Sequence, residues 1–117
     1  MRKLMIIPLF LASAASAGDA VIKDVQASKS GDSWRFSVTL LHGDTGWDHY
    51  ADAWRVVDAE GEVLGTRVLA HPHENEQPFT RSLGGVSIHA GATSVWIEVR
   101  DSVHGWNEAK FEFVLAE

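Results

Sequence analysis

From Trp34 the chain reads WRFSVTLL, which sets Trp34, Phe36, Val38 and Leu40 on one face of an extended segment and Arg35, Ser37 and Thr39 on the other. Period two is the signature of a half-buried strand. The same alternation returns in SVWIEVRD, with Val95, Ile97 and Val99 inward against Trp96, Glu98 and Arg100, and again in AKFEFVLAE through Phe111, Phe113 and Leu115. Shorter runs, AVIKDVQA, AWRVVD, VLGTRVLAH and PFTRSL, bring the number of expected strands to seven. No segment carries a sustained apolar period of 3.6 residues, so helices are not expected.

The connections favour antiparallel pairing. Ser30-Gly31-Asp32, Ala59-Glu60-Gly61, Gly84-Gly85 and Ala90-Gly91 are short and glycine-bearing, as hairpins and strand corners require. Seven short strands in about a hundred residues predict an all-β fold, a seven-stranded antiparallel immunoglobulin-like or fibronectin type III-like sandwich. Trp54 falls where such sandwiches place a core tryptophan. With no cysteine in the sequence, no disulfide can take part.

Ahead of the strands stands MRKLMIIPLFLASAASA: two cations, an apolar run and an Ala15-Ser16-Ala17 processing site. This is the layout of a secretory signal peptide over residues 1–17, with one β-sandwich domain over residues 18–117. A spanning anchor is not expected, because about 20 apolar residues are needed and Pro8 interrupts this run. Cysteine-linked lipidation is not expected either, since Gly18 follows the cut. Cleavage would leave 100 residues with a formal charge of −8. That balance opposes nucleic acid and anionic lipid as partners, both of which need clustered cations. The periplasm or the exterior of the cell is the expected location, free of the membrane.

Alternating strands send alternate connections to opposite ends of a sandwich. HGDTGWDHYAD, HPHENEQ and DSVHGWNE then share one pole, and with them go five of the six histidines, His89 alone being assigned to the other end. Loops on a rigid scaffold are the usual place for binding. Imidazoles and carboxylates without thiolates suit zinc or copper(II). One divalent ion is therefore expected at this pole, held by His71, His73 and His104, with His42 or His49 and a carboxylate from Glu76 or Asp101. The same loops carry Trp47, Tyr50 and Trp106, whose rings suit a protein or glycan partner as the alternative. Trp47 and Trp106 have a structural reading as well, as lids folded over the end of the core. Enzymatic activity is not expected: Asp101, Ser102 and His104 crowd one strand end and cannot supply a separated nucleophile, base and oxyanion hole.

The stretch HPHENEQPFTRSL, residues 71–83, followed by RDSVHGW, resembles a group of small exported bacterial proteins with a β-sandwich domain. The resemblance spans most of the chain after the leader. It implies location and fold, and no activity.

Overall fold

A computed structural model of the protein describes residues 20–115; the leader and its cut after Ala17 lie outside the described residues. Eight strands follow one another: β1 (Val21–Ser30), β2 (Ser33–Leu41), β3 (Ala51–Val57), β4 (Val63–Val68), β5 (Phe79–Val86), β6 (Ser94–Asp101), β7 (Gly105–Trp106) and β8 (Phe111–Val114). There is no helix among the described residues. One sheet has the order β1-β2-β5; the other has β4-β3-β6, with β7 and β8 both paired to β6. Every pairing is antiparallel, and the fold is the expected β-sandwich.

The count of eight rather than seven comes from the last edge. Gly105 pairs with Asp101 and Trp106 with Arg100, and pairing resumes only at Phe111 opposite Ile97. Residues 107–110 therefore oppose only residues 98 and 99, and the edge strand opens into two pieces. Gly105, at φ 76°, takes the left-handed conformation that returns the chain to β6 after Asp101. A second correction concerns Gly84-Gly85, expected as a corner and found inside β5. Leu83 faces Phe36 while Val86 faces Trp34, so the pair provides the extra residue of a β-bulge, with Gly85 at φ 68°.

The core follows the alternation of the sequence. Phe36, Val38 and Leu40 of β2, Trp54 and Val56 of β3, and Val95, Ile97 and Val99 of β6 are all buried. Phe79 and Val86 close it from β5. Phe111 and Phe113, also expected inside, are only partly buried, because β8 is a short edge strand with no neighbour beyond it. Phe113 still meets Phe36 edge-on at 5.9 Å.

One outward residue is not exposed. Glu98 is buried on the outer face of the larger sheet, where Arg55 Nε donates to it at 2.7 Å and Lys110 stands at 3.2 Å. Burial works to raise its pKa, but the hydrogen bonds from Arg55 and Lys110 outweigh it and hold the carboxyl below its ordinary range.

Candidate metal centre

The strand registers assemble the pole. Leu40 pairs with Phe79, and Ala51 with Asp101, so the end of β2, the start of β3, the start of β5 and the end of β6 lie together. Residues 42–50 link β2 to β3, residues 69–78 link β4 to β5 and residues 102–104 link β6 to β7, all at this pole.

Asp44 joins the first two of these loops. Its carboxylate is buried and accepts from His42 Nδ1 at 2.5 Å and from the Ala51 amide at 3.1 Å through Oδ1, and from the His73 amide at 2.7 Å through Oδ2. Gln77 adds a second tie, accepting from the His42 amide and donating to the His73 carbonyl, both at 2.9 Å. A carboxylate oxygen accepts here, so His42 Nδ1 is the N–H donor of this bond. Asp44 was not among the residues expected to form the site. The available signal was its place two residues beyond His42, across Gly43, where a short side chain bonds locally.

Asp101 anchors the third loop. It is fully buried and accepts from the amides of His104 at 2.7 Å and Val103 at 2.9 Å, and His104 Nδ1 lies 3.1 Å from both carboxylate oxygens. Burial would raise its pKa, yet the two amides and the His104 ring prevail and hold it below the ordinary carboxylate value.

His49 lies beside Asp101. Its ring meets His42 edge-on at 4.7 Å and His104 at 5.1 Å. Nε2 of His49 is buried 3.3 Å from Asp101 Oδ1, without a hydrogen bond. Donor atoms of His42, His49 and Asp101 all lie within 4.8 Å of one another. Zinc or copper bound at about 2.0–2.2 Å in a tetrahedral site separates its donors by roughly 3.3–3.6 Å, so closure by about an ångström would complete such a site.

The other expected ligands stand apart from this group. His73, 6% exposed, stacks flat on Phe79 at 4.0 Å and 12°, with the exposed His71 ring 4.7 Å away. Glu76 turns to Arg81, 3.2 Å distant. His104 borders the group through Asp101, while His89 lines a cleft near Asp58, Trp96 and Glu112. The aromatic residues divide too. Trp47 is 67% exposed and packs edge-on against Tyr50 at 5.5 Å, so it is not a lid on the core. Trp106 lies on the outer sheet face, beneath the Arg55 guanidinium at 3.7 Å.

Burial and then the Arg81 charge lower the pKa of His73 below its ordinary 6.5. Between the unfolded value and the lower folded one, the unfolded chain binds more protons, so stability is full above about pH 6.5 and declines as pH falls. Urea midpoints measured from pH 7.5 to 5 should therefore drop, and His73→Phe should flatten part of the slope. An unchanged slope in the variant would assign the acid sensitivity to other groups.

No protein-family model matches the chain. A protein of Halomicrobium mukohataei named "Putative lipoprotein" is 43% identical over 79 residues, which cover 68% of this chain and 38% of that relative. The chain thus spans well under half the length of the curated relative it matches.

Proposed function

We propose that this is an exported binding protein, not an enzyme, that holds one divalent transition metal, zinc or copper(II), through His42, His49 and Asp101. The observation that carries the reading is the buried, unbonded His49 Nε2 within reach of two other donors. Asp44 on His42 Nδ1 supports it, because metal-ligating histidines commonly donate their other ring N–H to a carboxylate. His104, at the rim beside Asp101, or a water supplies the fourth position. Export rests on the leader-like residues 1–17 and on the lipoprotein name of the relative. The periplasm or the exterior is the proposed location.

Thermal unfolding of metal-stripped protein tests the reading. An ion that binds only the folded state, at a hundred times its dissociation constant, adds about 2.7 kcal/mol. For a domain of this size that is a rise in Tm of roughly 10–20 °C. With zinc as the added ion, the rise should disappear in His49→Ala and persist in His89→Ala. It should also weaken below about pH 6.5, where imidazoles take up protons. No rise in the wild type, or equal rises in both variants, would sink the metal reading.

A second reading is favoured by the exposure of Trp47. Beside Tyr50 it offers an aromatic surface to a protein or glycan. Trp47→Ala should then abolish capture of such a partner while leaving the metal-dependent rise in Tm intact.

A further inference from the structure

Apart from His42, His49 and Asp101, the side chain least accounted for is His73. It is more than nine-tenths buried, and neither of its ring nitrogens has a hydrogen-bond partner among the described residues. An imidazole always presents at least one N–H donor, and when neutral one acceptor, so burial of both without partners calls for something to bind them. The carboxylate oxygen facing it is Asp44 Oδ2, 4.0 Å from Nδ1. Closing that gap by about 1 Å makes an ordinary hydrogen bond and leaves Nε2 as the donor atom for a ligand.

His71 has the same disposition. Its Nδ1 donates to the Pro72 carbonyl at 3.1 Å, so its lone pair also falls on Nε2, and its ring lies 4.7 Å from that of His73. His42 and His104 repeat the pattern with Nδ1 on Asp44 and Asp101. Engagement of one ring nitrogen by a carbonyl or carboxylate is how proteins orient a histidine toward a metal.

We propose that His71 and His73 hold a second transition-metal ion through their Nε2 atoms, with Asp44 as the outer carboxylate shared by this ion and the one at His42, His49 and Asp101. Two imidazoles completed by water make a poor zinc site, since structural zinc takes four protein ligands. Copper(II) accepts a tetragonal set of nitrogen and oxygen ligands and stands highest in the divalent affinity order. The second ion is therefore copper(II), and it enters from the exposed side of His71. Its ligands are distinct from those of the first site, so each can fail without the other.

Copper(II) titration of the metal-stripped protein, counted by native mass spectrometry and by the copper EPR signal, decides the matter. His71 is exposed, so His71→Ala should fold as the wild type does, and near-ultraviolet circular dichroism checks the same for His49→Ala. Two ions in the wild type, one in each of these variants and two in His89→Ala support the proposal. A single ion lost in His71→Ala but kept in His49→Ala supports it also, and removes the first site instead. A single ion lost in His49→Ala but kept in His71→Ala overturns the proposal and leaves the first site standing. One ion lost in either variant means a single merged centre and overturns it, and no bound ion overturns both.

Discussion

Phe36→Ala will destabilise the domain by roughly 3–5 kcal/mol, the usual cost of emptying a fully buried phenylalanine site. Phe36 is completely buried and lies between Trp34, at 6.3 Å, and Phe113, at 5.9 Å. Its ring fills the middle of β2, the central strand of the smaller sheet, so β-strands on both sides resist collapse into the space it leaves. Total stability of a small domain is about 5–15 kcal/mol, so this one change removes a large share of it. Phe113→Ala, at the partly buried edge, will cost distinctly less. Urea unfolding of both variants reads the difference, and equal losses would show that β8 packs as a central strand does.

Asp44→Ala will be nearly as damaging, for a different reason. The carboxylate is the acceptor for three groups: the amides of Ala51 and His73 and the His42 ring. A buried donor left without a partner costs about 1–3 kcal/mol, and breaking a buried charged network about 3–5 kcal/mol in all. Asp44→Asn keeps the shape but turns an amide group toward donors, so it will recover only part of the loss. On the metal reading proposed above, removing the carboxylate that orients His42 also weakens metal affinity by about 10–100-fold. Urea midpoints and metal titrations of the two variants measure both effects. A fully stable Asp44→Ala would mean that the loops over residues 42–50 and 69–78 hold their shape without this carboxylate.

Much of the fold was legible because strand burial is written locally. In WRFSVTLL each residue's face follows from its position alone, and the buried set of Phe36, Val38 and Leu40 needs no knowledge of the rest of the chain. Edges were not legible in the same way. Phe111 alternates as faithfully as Phe36, but its burial depends on what lies beyond β8, which no pattern within AKFEFVLAE records. Gly84-Gly85 reads equally well as a corner or a bulge, and the register of β5 against Trp34 and Phe36 decides for the bulge.

For the candidate site, the sequence by itself determined the pole: alternation of strands sends the connections bearing His42, His49, His71, His73 and His104 to one end of the sandwich. Which of these rings meet was decided only by the tertiary structure. Imidazole contacts depend on loop conformation, and here that conformation is set by two buried carboxylates. Asp44 ties residues 42–50 to residues 69–78 through amides that any sequence possesses, and Asp101 folds residues 102–104 back in the same way. Backbone amides leave no mark in a sequence. The grouping of His49 with His42 and Asp101, and of His71 with His73 on Phe79, therefore emerges only once the carboxylates have found them.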